Sequence, residues 1–301
     1  MAIGVSHVFH LNVNCSSLEQ SLAFYRDAVG LTAGAHTVPP AQPGAAFGFE
    51  VAQWDAWILS DDRGFGGVAV DLLEWLEPKP VGTPPLPNQL GFARLGFTTA
   101  DLDATHARLR AAGAARLTEP HEVTMKGAPT MRTFVVADPD GTAIEFVSGN
   151  AERFSFVALN CSDLDRSVEF YSDVLGFHPR VRFAPGPRDE TALGLGADAE
   201  WEMAYLDDPR GNGTFAIDLV EWKNPTPTGS PSSEANRLGP FRMALMADDI
   251  DRDYDDLTAR GVACTTPPAT LDMGLGLPTL RALLFPDPDG TMLELIETPT
   301  R

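Results

Sequence analysis

Cysteine, basic charge and long apolar runs are all scarce in this sequence. Three cysteines among 301 residues, odd in number and widely spaced, supply neither a disulfide framework nor a thiolate zinc site. Against 42 Asp and Glu there are 22 Lys and Arg, a net charge of −20. So acidic a chain repels phosphate backbones and anionic lipid surfaces, so neither nucleic acid nor a membrane is expected as a partner. No apolar stretch approaches the ~20 residues of a membrane span. The start, Met1 to His7, carries neither the basic segment nor the long apolar segment of a secretion signal. These absences predict a soluble, cytoplasmic protein whose partner is a small molecule, with assembly as a homodimer left open. Apolar residues, at 44%, are enough for a core. The 27 Gly and 25 Pro are too many for a helical bundle and suit short strands and turns. The length predicts two domains.

An internal repeat organises the chain. Residues 10–30 (HLNVNCSSLEQSLAFYRDAVG) return as 156–176 (FVALNCSDLDRSVEFYSDVLG), Asp71–Trp75 as Asp218–Trp222, and Asp138–Gly141 as Asp287–Gly290, at offsets of 146 to 149 residues. Each half divides again around a Pro-rich connector, Pro78 to Pro87 and Pro225 to Pro231. The result is four units of one strand, one helix and several strands. Phe9, Leu11 and Val13 alternate with His10, Asn12 and Asn14, the period of a strand with one polar face. Ser16 and Glu19 form a capping-box pair, Gly30 and Gly176 fall where helices end, and Asp101 opens another helix. Asp-Pro-Asp-Gly is a tight turn between two strands. Cys15 and Cys161 read as small buried hydrophobes, His106 as packed, and Asp61-Asp62 and Asp207-Asp208 as solvated turns.

A strand, a helix bearing Phe-Tyr, then Asp-Pro-Asp-Gly-Thr followed by Glu resembles the vicinal oxygen chelate superfamily, which includes glyoxalases, extradiol dioxygenases, fosfomycin-resistance proteins and bleomycin-binding proteins. The resemblance implies an α+β fold: four βαβββ modules paired into two cup-shaped, glyoxalase-like mixed-sheet domains. They are expected over residues 1–150 (modules about 5–77 and 90–149) and 151–301 (modules about 153–224 and 238–298). Whether modules pair within a half or across halves stays open. Catalytically active members of the family hold a divalent metal inside the cup, on ligands from the first and last strand of each module. Mapped half by half, those positions are His10, Asp71, Arg94 and Glu145 in one half, and Phe156, Asp218, Arg242 and Glu294 in the other.

An imidazole with two carboxylates suits Fe, Mn, Ni or Zn, so His10, Asp71 and Glu145 are the candidate metal ligands. Against that, Arg94 is a permanent cation that cannot ligate, and it could answer Asp71 and Glu145 without any metal. The second half, with Phe156 for the imidazole and Arg242 beside Asp218 and Glu294, reads as metal-free and drier. The cofactor is thus either none or one divalent ion. As catalytic residues we take His10, Asp71, Arg94 and Glu145. Asn12, Asn14, Trp54, Arg132, Arg242, Asp218 and Glu294 are taken as substrate-binding, and Trp57, Trp201 and the segments Met125–Met131 and Leu271–Leu277 as walls of a ligand pocket. The leading function is proton-transfer chemistry of isomerase, cyclase or lyase type on a small oxygenated, polyketide-like or aromatic metabolite in the N-terminal cup. The alternative is a non-catalytic protein that sequesters an antibiotic or similar product of secondary metabolism. An extradiol ring-cleaving dioxygenase ranks third, for want of a second histidine.

Overall fold

A computed structural model describes residues 2–124 and 129–298. The first module runs β1 Val5–Asn14, α1 Leu18–Leu22 (continued by π-helical turns over Ala23–Val29), β2 Thr32–Thr37, β3 Gln42–Pro43, β4 Val51–Ser60 and β5 Ala69–Glu77. The second has β6 Gly91–Thr99, α2 Leu102–Ala111, β7 His121–Val123, β8 Met131–Ala137 and β9 Ala143–Ser148. The third has β10 Arg153–Asn160, α3 Leu164–Glu169 (with π turns over Phe170–Val174), β11 His178–Arg188, β12 Ala199–Asp207 and β13 Ala216–Asn224. The fourth has β14 Gly239–Ala247, α4 Ile250–Ala259, β15 Ala269–Leu271, β16 Leu280–Pro286 and β17 Met292–Glu297.

The four modules make two mixed sheets, in the order β15-β16-β17-β14-β1-β5-β4-β2 and β11-β12-β13-β10-β6-β9-β8-β7. The joining contacts are antiparallel, β1 on β14 and β6 on β10, while within each module the first strand lies parallel to the last. Each curled sheet therefore combines modules from different halves. Modules one and four, at the chain ends, form a terminal cup; modules two and three form a central cup. The half-by-half inner set is corrected accordingly: His10 and Asp71 do not meet Arg94 and Glu145.

The two modules of each half remain linked through their helices, and here the repeated motifs find their use. Asp138 Oδ1 accepts the backbone N–H of Asp140, Gly141 and Thr142, while its Oδ2 accepts the Tyr25 hydroxyl at 3.0 Å. Asp140 accepts the N–H and hydroxyl of Ser16. The copy repeats this with Asp287, Tyr171, Asp289 and Ser162. The turn is thus a latch that holds the helix start of the preceding module. Ser16 is consequently not the cap: Ser17 is, accepting from the Gln20 N–H. Glu74 and Glu221, from the repeated strand motif, accept the first helical N–H groups of α1 and α3, satisfying donors that a helix start leaves orphaned.

The connectors explain how modules from different halves are held. Asn14 Nδ2 donates to the carbonyls of Ala235 and Arg237, and Trp75 Nε1 donates to its Oδ1. Asn160 does the same with Pro87, Gln89 and Trp222. Asn14 is therefore a clasp on the other half's connector rather than a substrate-binding residue. The largest apolar cluster mixes strand residues of both sheets with helix residues, Leu11 and Val13 among them. Phe9 lies instead with the terminal-cup cluster, because a register shift between Val8 and His10 turns it to the cup side.

Candidate functional site

In the terminal cup, His10, Asp71, Arg242 and Glu294 converge, all buried. Arg242 Nε donates to Glu294 Oε2 at 2.8 Å and its Nη2 to Asp71 Oδ2 at 3.3 Å. Asn12 Nδ2 donates to the same Asp71 oxygen at 3.2 Å. His10 Nε2 stands 3.7 Å from Asp71 and 3.6 Å from Glu294. Burial alone would raise the Glu294 carboxyl, but Arg242 and His10 outweigh it and hold the group at about 2. Around this quartet the cup is packed: Phe47, Trp54, Trp75, Phe241, Leu271, Leu284 and Ile296 are all buried in it. Trp54, expected to bind substrate, packs on Phe47 and Trp75 and donates to Thr37 Oγ1 at 3.2 Å.

The central cup is open. It holds a cavity of about 660 Å³ lined by Arg94, Glu145, Phe156, Glu190, Trp201, Tyr205 and Asp218, among others. Position for position, smaller side chains stand where the terminal cup carries large ones: Leu193 for Phe47, Leu195 for Phe49, Ala93 for Phe241, Val135 for Leu284 and Val147 for Ile296. Arg94 Nε donates to Glu145 Oε2 at 2.8 Å and its Nη2 to Asp218 Oδ2 at 3.4 Å. Thr133 donates to the other Glu145 oxygen at 2.9 Å. Asp218 is buried, and its Oδ1 has no hydrogen-bond partner among the described residues. Burial, with Glu145 and Glu190 adding to it against the opposing Arg94, pushes its carboxyl up to about 7. A carboxyl poised there can accept or give a proton at neutral pH. Burial also raises Glu190, whose Oε1 accepts the Trp201 indole N–H at 2.7 Å.

Several sequence expectations are corrected by this geometry. The candidate ligands His10, Asp71 and Glu145 are not assembled, because Glu145 belongs to the central cup. Arg242 and Glu294 join His10 and Asp71 instead, while Asp218 joins Arg94. The cup with Phe156 is the one with space, and the cup with His10 is the filled one. Arg132, expected at the substrate, is exposed and paired with Asp103 at 2.9 and 3.0 Å, as Arg281 is with Asp251. Trp57 stacks on His36 at 4.2 Å. Met131 and Trp201 do line the cavity, whereas Met125 lies outside the described residues. Asp61 and Asp208 are buried ion pairs of Arg63 and Arg210 rather than solvated turns. Glu190 and Tyr205 were missed. Two signals mark them: residues 201, 203 and 205 share one strand face, and Glu190 stands where the first half has Gly44.

The donor sets do not fit a divalent metal in either cup. In the terminal cup a guanidinium already bonds both carboxylates, placing a fixed cation where the ion's charge would be. The central cup replaces the imidazole with Phe156 and again commits its carboxylates to an arginine. Among the described residues, no three His, Cys, Asp or Glu side chains are arranged to hold a metal ion.

Phe156 pairs across the sheet with Gly96, and a Cβ at Gly96 would come within 2.2 Å of its ring. Gly96→Ala is therefore expected to push the ring toward the cavity and to cost about 1–3 kcal/mol of stability. Denaturant unfolding together with a structure of the variant checks this; an unmoved ring and unchanged stability would refute it.

The comparisons with known proteins agree with this architecture. A Zea mays glyoxalase I structure aligns with a TM-score of 0.70 at 19% identity, covering 96% of this chain and 92% of that one. A dioxygenase-like protein from Bacillus subtilis aligns at 0.64 with 16% identity, covering 99% and 87%. These likenesses show the fold. A lactoylglutathione lyase of Arabidopsis thaliana is 32% identical over 135 residues, 44% of each chain, so the match spans less than half of that relative's length. In the described residues no helix is long and apolar enough to cross a membrane. The family model described as Glyoxalase/Bleomycin resistance protein/Dioxygenase superfamily matches residues 7–146 and 153–295, and the chain belongs to that superfamily.

Proposed function

We propose that the central cup is the substrate site of an enzyme that moves a proton on a small oxygenated organic molecule, with Asp218 as the acid–base group. One observation carries the reading: at the wall of an open 660 Å³ cavity a buried carboxyl has one oxygen free of partners among the described residues. Its titration near 7 matches what general acid–base catalysis requires at neutral pH. Arg94, 3.4 Å from Asp218, is placed to stabilise charge that develops on a substrate oxygen once a C–H proton is removed. Thr133 and Arg94 fix both oxygens of Glu145, so of the two carboxyls on Arg94 it is Asp218 that keeps an uncommitted oxygen among the described residues. The lyase activity named for the Arabidopsis relative is compatible with such chemistry. Ring cleavage by a dioxygenase would need a metal donor set that neither cup supplies.

Incubation of the protein in D₂O with a panel of small α-oxygenated carbonyl compounds tests the reading without knowledge of the full reaction. Deuterium is expected to enter a carbon position of at least one compound, at a rate that rises with pH through about 7 as Asp218 loses its proton. A rate flat between about pH 5.5 and 8.5 would count against Asp218 as the base. A compound bound and recovered without exchange would assign the cup to sequestration.

A further inference from the structure

The two cups are copies of one plan; besides Arg188 in place of Gln42, two of their differences change which ionisable groups face the buried carboxylates. His10, within 4 Å of both terminal-cup carboxylates, is replaced in the central cup by Phe156. Gly44, which precedes the 3-10 turn Ala45–Phe47, is replaced by Glu190 before the equivalent turn Thr191–Leu193. One imidazole is lost and one carboxyl gained. The terminal cup sets Arg242 and His10 against Asp71 and Glu294. In the central cup Arg94 faces Glu145, Asp218 and Glu190.

Among the described residues, the other cations around the cavity do not close that gap. Arg63 is held by Asp61 and two backbone carbonyls. Arg180 lies 3.0 Å from Asp207, and Arg153 is paired with Asp62. Arg188 stacks over the Trp201 ring at 4.9 Å, and it acts on Glu190 without outweighing its burial. Carboxylates removed from water need partners, yet Asp218 Oδ1 has none among the described residues. The cavity also carries aromatic surface in Phe156, Trp201 and Tyr205; Arg180 lies over the Tyr205 ring at 5.4 Å as Arg188 does over Trp201, so these rings offer apolar surface for a ligand's body. The net charge of −20 favours the approach of cations and opposes that of anions.

We propose that the central cavity takes a small organic cation, a protonated amine or quaternary ammonium joined to an apolar or aromatic body. Its head lies against Asp218 and Glu190 and its body against Phe156, Trp201 and Tyr205. The inference rests on the reading above only in placing the substrate in this cup, and it names the substrate's class. In the empty site the deficit of positive charge is met by protons, and burial raises both Asp218 and Glu190 accordingly. A bound cation displaces such a proton. Binding should therefore tighten as pH rises through about 7, by up to about tenfold per unit for each proton released. Arg94, Glu145, Tyr205 and Arg188 are the other titratable groups facing this pair.

Calorimetric titration with benzyltrimethylammonium, benzyl alcohol and phenylacetate tests the proposal. The cation is expected to bind at least about tenfold more tightly than either comparator, and about five- to tenfold more tightly at pH 8 than at pH 6. Proton release should appear as heats that depend on the buffer. Glu190→Gln should weaken cation binding about five- to tenfold and leave benzyl alcohol unchanged. Phenylacetate or benzyl alcohol binding as tightly as the cation, or no cation binding to the unaltered protein, overturns the proposal. Cation binding without deuterium exchange into any compound overturns the catalytic reading alone. Exchange into neutral compounds with no preference for cations overturns this one alone.

Discussion

Asp218→Asn is expected to slow deuterium exchange by about 10²–10⁴-fold while making the protein more stable at alkaline pH. Both effects come from the same burial. The carboxyl is raised in the fold to about 7 from its ordinary value of 3.8, so the native state holds a proton that the unfolded chain has already released. For such a group the contribution to stability is full below the unfolded value and is lost as pH rises through the folded one. Near pH 5 the native carboxyl is still neutral but the unfolded one is already ionised, so the variant should lead by only about 1–2 kcal/mol. Near pH 8.5 the native Asp218 is charged, with Oδ1 unpartnered and Glu145 and Glu190 close by. There the variant should be more stable by about 2–4 kcal/mol. Urea unfolding at the two pH values, run beside the exchange assay, reads both halves. A variant equally active, or no more stable at pH 8.5, removes Asp218 from its assigned role. Such a trade, activity held at a cost in stability, is expected of catalytic groups.

What the sequence makes legible follows from what each signal depends on. The repeat, the helix ends at Gly30 and Gly176 and the Asp-Pro-Asp-Gly turns are local, and all lie where the spacing predicts. The eight inner positions at first and last strands are likewise the ones facing the cups. Partner choice is not local. The four first strands are similarly patterned, so any pair of them can join antiparallel, and periodicity alone does not separate β1–β14 from β1–β6. The deciding contacts are made by the connectors, which Asn14 and Asn160 grip through backbone carbonyls. Carbonyl acceptors leave no mark on side-chain identity. A polar face on β1 reads as a wet cup, but wetness depends on what packs opposite. Phe47, Phe241 and Ile296 fill the cup that holds His10, and they fall on modules one and four. Only after the modules are paired does the comparison with Leu193, Ala93 and Val147 show which cup is open.

Arg242→Leu carries the largest expected loss of stability, about 3–5 kcal/mol. The substitution keeps the apolar start of the side chain but removes the guanidinium that covers the Phe47 ring at 5.6 Å, so a small cavity adds to the loss. What goes is the hydrogen-bonded cation between Asp71 and Glu294. Both carboxylates stay buried in a cup lined by Trp54, Trp75, Leu284 and Ile296, with His10 and Asn12 as the remaining polar partners. Removing one member of a buried network costs far more than the whole network contributes relative to apolar replacements. Asp71→Asn and Glu294→Gln in the Arg242→Leu background should therefore recover more than half of the loss. The pH dependence has a definite sign. Glu294 is held at about 2, below its ordinary value of 4.5, so its stabilising contribution is full above 4.5 and disappears as pH falls through about 2. The gap between native protein and Arg242→Leu should accordingly be widest near neutrality and narrow in acid. Deuterium exchange should be unaffected at temperatures where the variant stays folded, because no atom of the central cup touches Arg242 through a hydrogen bond or ion pair among the described residues. A variant as stable as the parent would show that water reaches both carboxylates, and one that lost exchange while folded would move the active site to the terminal cup.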